Sequence, residues 1–238
     1  MSMTGIKVLS AGAAQAVVEK IAESYTRDTR CEVNGEFSAV GAIKQRVLEG
    51  ARADVLLLAG ALIDELIAAG QVVAGSRAGL GRVGTGVAVR ANTPPPDVSS
   101  AQILRDKLLA ASQVVCPDPA TATAGKVVMQ VLARLGISDR VMPNMRYFPN
   151  GYAAMKWLAE SRGEGELGIT QITEILANNG VTYAGPLPVD LQTKTIYSAG
   201  LSARAAEPGA AREFIARLTS PAARSVLAIA GYEIDAGD

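Results

Sequence analysis

The stretch Ile6-Lys7-Val8-Leu9-Ser10-Ala11-Gly12-Ala13-Ala14-Gln15 decides how the rest of the chain is read. It begins as an apolar strand, passes through a loop of very small residues and enters a helix. Val17, Val18, Ile21, Ala22 and Tyr25 fall on one face at helical spacing, which predicts a helix from about Ala14 to Arg27. A strand-to-helix loop of Ser, Ala and Gly lets a ligand approach the backbone. It also points unpaired N–H groups and the positive end of the helix dipole at that ligand, a combination suited to a small anion. The same residues fit a tight turn that binds nothing.

The pattern recurs outward from this stretch. Cys31 to Phe37 reads as a half-buried strand, and Ser38-Ala39-Val40-Gly41-Ala42 as a second small-residue loop opening a helix through Ile43, Val47 and Leu48. Ala53 to Leu58 is a continuous apolar run, as expected of a strand covered on both faces. A helix from Ala61 to Ala69 follows, then Gln71 to Leu80 without period. Arg82 to Arg90 reads as one strand interrupted by Gly84 and Gly86, which predicts a bend, bulge or hinge. After a proline-rich linker at Thr93–Asp97 and a helix carrying Ile103, Leu104 and Leu108, Val114-Val115-Cys116 forms a short strand. The third loop, Pro117 to Lys126, contains Thr121, Thr123, Ala124 and Gly125 and opens a helix. Arg146 to Tyr152, with Asn150, reads as a fourth loop, and Thr170 to Glu174, with Gln171, as a fifth. Val181–Tyr183 and Thr195–Tyr197 read as strands, and Pro208 and Pro221 open two closing helices. Strands alternating with amphipathic helices predict a parallel α/β architecture. Ligands in open α/β sheets sit at the carboxyl ends of the strands, where all five loops fall. Five such loops, with hinge strands near Thr85 and Tyr197, predict two lobes closing on a small ligand.

Composition narrows the function. Lys plus Arg and Asp plus Glu are 23 each, so no basic excess points to nucleic acid or an anionic membrane as partner. The absence of histidine removes the commonest general base and metal ligand, and every Ser-His or Cys-His pair. Cys31 and Cys116 read as two separate reduced thiols rather than a disulfide, and neither a metal site nor a cofactor is expected. No apolar run reaches the roughly 18 residues of a membrane span, and no leader is visible before the first strand. The sequence as it stands reads as cytoplasmic; a removed leader would make it periplasmic.

The chain resembles the type II periplasmic solute-binding proteins, and within them the molybdate-binding group. The resemblance rests on Val8 to Ala13, Phe37 to Gly41, Leu48-Glu49-Gly50-Ala51-Arg52-Ala53-Asp54, Asp118-Pro119 with Ala124-Gly125, and Leu167-Gly168-Ile169. It implies two lobes, 1–84 with 195–238 and 85–194, each a mainly parallel sheet flanked by helices, joined by two crossover hinge strands. It places a ligand in the cleft between them, against Ser10, Ala11, Gly12, Ala13, Ser38, Val40, Thr121, Thr123, Ala124, Gly125, Asn150, Tyr152 and Gln171, with an ABC permease as partner if the protein is exported. Carried over by position, a serine donor of the molybdate binders falls on Ala13, a second on or beside Val40 and a tyrosine donor on Gln171. The third-loop alanine is kept as Ala124. Each lost charge-assisted bond weakens binding by about 1.5–3 kcal/mol. The resemblance therefore implies a larger ligand with carboxylate or amide groups in place of molybdate.

Other readings of these residues stand beside that one. Ser38, Thr121 and Thr123 suit helix N-caps as well as ligand donors. Lys126, Arg82 and Arg90 fit either a charged contact or solvated positions, and Trp157 fits packing beside Met155 and Leu158. Some relatives of the fold resemble isomerases of small unsaturated polycarboxylates. Such chemistry needs a general base, which here would be Glu36, Glu174, Lys126 or an activated Ser38. A third reading is an intracellular ligand sensor; no helix-turn-helix flanks the fold, so direct control of DNA is not expected.

Overall fold

A computed structural model of the protein describes residues 5–234. The chain forms two units and crosses between them at Val83–Gly84 and at Lys194–Thr195.

The first unit joins the chain up to Val83 to the chain from Thr195 onward. Its sheet has the order β2-β1-β3-β10-β4, formed by β1 (Gly5–Ala11), β2 (Glu32–Ser38), β3 (Val55–Ala59), β4 (Ala78–Val83) and, from the return of the chain, β10 (Thr195–Leu201). β1, β2 and β3 are parallel, and β10 is antiparallel to both β3 and β4. The parallel register carries Ala11 level with Ser38, so the loops after β1 and β2 leave from one edge. All five residues of β3 are buried, which is why that run shows no polar alternation. α1 (Gln15–Thr29), α2 (Val40–Leu48) and α3 (Gly60–Ala68) follow the three parallel strands. Val17, Val18, Ile21 and Tyr25 of α1 enter the core. There the Tyr25 ring meets Phe214 edge-on at 5.2 Å, and its hydroxyl donates to the Ala210 carbonyl.

The second unit runs from Gly84 to Lys194. Its strands are β5 (Thr85–Arg90), β6 (Gln113–Pro117), β7 (Met145–Phe148), β8 (Glu166–Gln171) and β9 (Val181–Pro186), in the order β7-β6-β8-β5-β9. β6, β7 and β8 are parallel; β5 is antiparallel to β8 and β9. α4 (Ala101–Ala110), α5 (Thr123–Arg134), α6 (Ser138–Val141), α7 (Gly151–Glu160) and α8 (Ile172–Leu176) cover the two faces. One face packs Val87, Leu104, Val114, Val128 and Leu132, the other Ala88, Val115, Met155, Leu158 and Ile175. α9 (Pro208–Leu218) and α10 (Arg224–Ile229) close the first unit.

Three expectations change. The stretch before Leu80 is not wholly irregular, because β4 begins at Ala78. Arg82 to Arg90 is two strands, one in each sheet, rather than one; the interruption falls at Gly84, the first of the two glycines. The fourth loop is half strand: Met145–Phe148 pairs in parallel with β6 as the edge of its sheet. An edge strand with one neighbour and exposed Arg146 and Tyr147 carries no period-2 apolar signal.

Candidate functional site

In the first unit the junctions after β1, β2 and β3 open on helical turns whose N-cap positions hold alanine. Ala11 precedes the 3-10 turn Gly12–Ala14 that leads into α1, Ala39 precedes α2 and Ala59 precedes α3. None of the three starts receives a side-chain cap. An alanine cannot accept from the first-turn N–H groups, which forgoes about 1 kcal/mol per helix relative to Ser or Asp. Of the helices that follow antiparallel strands, α4 has a side-chain cap and α9, with Glu207 at its N-cap, does not. Ser100 accepts from Ile103 N–H at the start of α4. Asp54 Oδ1 accepts from the Ala206 and Glu207 N–H groups before α9, while its Oδ2 accepts from Lys7 N–H.

The second unit repeats the arrangement. After β6, Asp118 accepts from the N–H of Ala120 on its side chain and from those of Thr121 and Ala122 on its carbonyl, so the loop turns tightly. Ala122 is the uncapped N-cap of α5. Gly125 is required beneath it, because a Cβ there would lie 2.3 Å from the Pro117 carbonyl oxygen. Gln171 ends β8 and precedes α8 without a side-chain cap, and it is only 2% exposed.

Ser38, Thr121 and Thr123 therefore cap no helix. The caps are Ala39 and Ala122, one residue along, and the three half-buried side chains flank the helix starts. The structure brings Ala11, Gly12, Ala13, Ser38 and Val40 to one edge of the first sheet. It brings Thr121, Thr123, Ala124, Gly125, Asn150, Tyr152 and Gln171 to one edge of the second. Ser10 stands apart: it is fully buried and its hydroxyl donates to the Ala11 carbonyl. Ala13 is 5% exposed, and its carbonyl accepts from the Tyr232 hydroxyl.

Among the helices that follow parallel strands, α7 is the one with a side-chain cap. Asn150 Oδ1 accepts from Ala153 N–H, and the Gly151 and Tyr152 N–H groups stabilise the charged form of Glu174. Glu174 also accepts from the Thr170 hydroxyl at 2.5 Å. Burial, partly offset by these bonds, raises its carboxyl to about 6. Glu36, by contrast, is held below the usual carboxylate range by bonds from Lys7 and Arg46. Arg90 pairs with Val181 at the far end of β5 from Thr85, which pairs with Gln171. It donates to the Ser161 and Gly163 carbonyls and is removed from the junction edge. Trp157 packs against Phe148, with the Arg146 guanidinium 4.4 Å from its ring centre. Cys31 and Cys116 are both free and buried.

Three features were not legible in the sequence. The Ala59–Gly60 start of α3 is a further small-residue junction, hidden in a continuous apolar run. Arg77, whose Nε donates to Ser198 Oγ and whose Nη1 pairs with Asp64, reaches that helix from a stretch without period. The role of Glu174 at the start of α7 had no signal beyond its four-residue spacing from Thr170.

The family model described as bacterial extracellular solute-binding protein matches residues 6–233. An aconitate isomerase from a Pseudomonas species is 29% identical over 237 residues, covering 97% of this chain and 88% of that protein. The periplasmic molybdate-binding protein of Azotobacter vinelandii superposes with a TM-score of 0.81 at 22% identity, over 97% of this chain and 99% of that one. The sulfate-binding protein SubI of Mycobacterium tuberculosis H37Rv gives 0.79 at 16% identity, over 98% and 88%. At these identities the two structures speak to the fold.

Proposed function

The chain belongs to the bacterial extracellular solute-binding family, and from that premise we propose that it holds a small anion, a carboxylate or oxyanion, on uncapped junctions that follow its parallel strands. The observation that carries the reading is the distribution of caps. Helix starts after β1, β2, β3, β6 and β8 lack a side-chain acceptor at the N-cap, whereas α4, which follows an antiparallel strand, is capped by Ser100. Apart from α8, where Ile172 N–H donates to the Gly84 carbonyl and the Gln171 backbone bonds Glu174, these starts suit recognition through neutral backbone N–H groups, with the helix dipoles supplying the field. Alanine, valine and glutamine at positions 13, 40 and 171 favour a ligand broader than a tetrahedral oxyanion, and a polycarboxylate fits. An ABC permease is the partner this reading implies if the protein is exported.

A thermal-shift screen over molybdate, tungstate, sulfate and di- and tricarboxylates tests it. A ligand at about 100 times its Kd stabilises by about 2.7 kcal/mol, roughly 5–10 °C for a chain of this length. Stabilisation by a di- or tricarboxylate is expected, and stabilisation by molybdate alone would refute the preference for a broader ligand. A second reading, isomerisation of an unsaturated polycarboxylate, is supported by the aconitate isomerase relative. Among Glu36, Glu174, Lys126 and Ser38, Glu174 is the group whose proton affinity is raised toward neutrality. Incorporation of deuterium from heavy water into a bound polycarboxylate separates this reading from simple binding.

A further inference from the structure

The start of α7 already holds an anion, and that anion belongs to the protein. Glu174 is 5% exposed. It lies on α8, which packs against α7, β5, β8 and β9. Its carboxylate meets the Thr170 hydroxyl from the end of β8 and the backbone of Gly151 and Tyr152 from the start of α7. The fit is tight enough to fix the residue opposite. A Cβ on Gly151 would lie 1.9 Å from both Glu174 Oε2 and Thr170 Oγ1, so any larger residue there must displace them. One side chain thus fastens two junctions of the same edge, the one after β7 and the one containing Gln171.

We propose that Glu174 is a positioning residue for ligand binding: it occupies the α7 donors from inside, holds Gln171 and the α7 start in register, and makes anion binding on this edge take up a proton. The inference rests on the anion-binding reading above. A ligand anion brought to the edge that carries the Glu174 carboxylate places two like charges near the same donors, and like charges raise each other's proton affinity. Ionisable side chains on the elements packed against α8 are Tyr152, Lys156 and Glu160 of α7, Arg90 of β5, Glu166 of β8 and Tyr183 of β9. Lys156 and Glu160 are exposed, Arg90 is bonded to the Ser161 and Gly163 carbonyls, and Glu166 accepts from the Ser161 hydroxyl. Burial is the cause of the raised proton affinity of Glu174, the hydrogen bonds from Thr170 and from the Gly151, Gln171 and Tyr152 backbone offset part of it, and no neighbouring ion contributes. With its carboxyl at about 6, Glu174 is largely ionised at pH 7.5 and within reach of protonation when a second charge arrives.

The experiment is calorimetric titration with trans-aconitate, and with sulfate as an anion that does not titrate, at pH 5 to 8. It uses the wild type and Glu174→Gln, each in buffers of different ionisation enthalpy. A tenfold rise in proton affinity on binding makes the wild-type affinity about eightfold higher at pH 5 than at pH 8, with uptake of about half a proton near pH 6.5. The ligand's own titration is common to both proteins, so the expected result is that this extra slope and uptake vanish in Glu174→Gln. Parallel pH profiles in the two proteins overturn the inference while leaving the anion-binding reading intact. If neither anion binds the wild type, that reading fails for these probes, and the positioning claim is then judged on the ligand-free protein. There the Gly151 and Tyr152 amide resonances should titrate with a midpoint near 6 in the wild type and not in Glu174→Gln. Flat resonances in the wild type overturn it independently of any ligand.

Discussion

Replacing Ala122 with serine should move stability and affinity in opposite directions. Ala122 is the N-cap of α5 with φ −112° and ψ 136°, extended backbone that already suits a capping residue. A serine hydroxyl there would accept from the N–H of Ala124 or Gly125, two residues of the proposed ligand edge. The first intrahelical bond, from Lys126 N–H to the Ala122 carbonyl, would be untouched. Supplying the missing acceptor should stabilise the folded protein by about 0.5–1 kcal/mol, roughly 1–4 °C in midpoint. The same hydroxyl would consume a donor of the proposed ligand edge. Losing one charge-assisted bond costs about 1.5–3 kcal/mol, a weakening of about 10- to 150-fold in Kd. Thermal unfolding gives the first quantity, and titration calorimetry with the strongest anion of the thermal-shift screen gives the second. Ser100→Ala is the control, since it removes an existing cap on α4 and should lower stability by about 1 kcal/mol without touching affinity. Ala122→Ser that is more stable yet binds as well as the wild type would refute the claim that open helix starts serve the ligand.

Other outcomes follow from individual contacts. Asp54→Ala should lower stability by about 3 kcal/mol or more, because the Lys7, Ala206 and Glu207 N–H groups lose their acceptor together; a shift below 1 kcal/mol in denaturant titration would contradict it. Glu174 has a folded value of about 6 against an ordinary 4.5, so its contribution is fully present below about pH 4.5 and is lost as pH rises through 6. Glu174→Gln should therefore gain about 2 kcal/mol relative to the wild type between pH 4 and pH 8, measured by paired unfolding curves. Gly151→Ala should cost about 1–3 kcal/mol by forcing a methyl group against Glu174 and Thr170, and a midpoint equal to the wild type would show that the α7 start is not packed as described. Burial raises the Cys31 thiol and pushes that of Cys116 up to about 12. Neither should react with a thiol reagent at pH 8 until denaturant is added.

The sequence by itself determined the layered architecture. Runs such as Val55 to Leu58 and helical faces such as Val17, Val18, Ile21 and Tyr25 are dictated by local burial and period, so they are readable without neighbours. It also determined that loops of small residues follow the parallel strands. Only the tertiary structure decided what those loops do with their donors. Whether Ser38 and Thr123 cap a helix or flank it turns on a one-residue register, and that register is set by packing of the helix against its sheet. The partner of the α7 start is likewise non-local, a carboxylate on the next helix brought there by the pairing of β6 with β7 and β8. The edge strand at Met145–Phe148 and the division of Arg82–Arg90 between two sheets depend on which chain lies alongside. Composition and period report what a residue prefers to bury, while a hydrogen bond between distant residues is fixed only when the fold brings its two ends together.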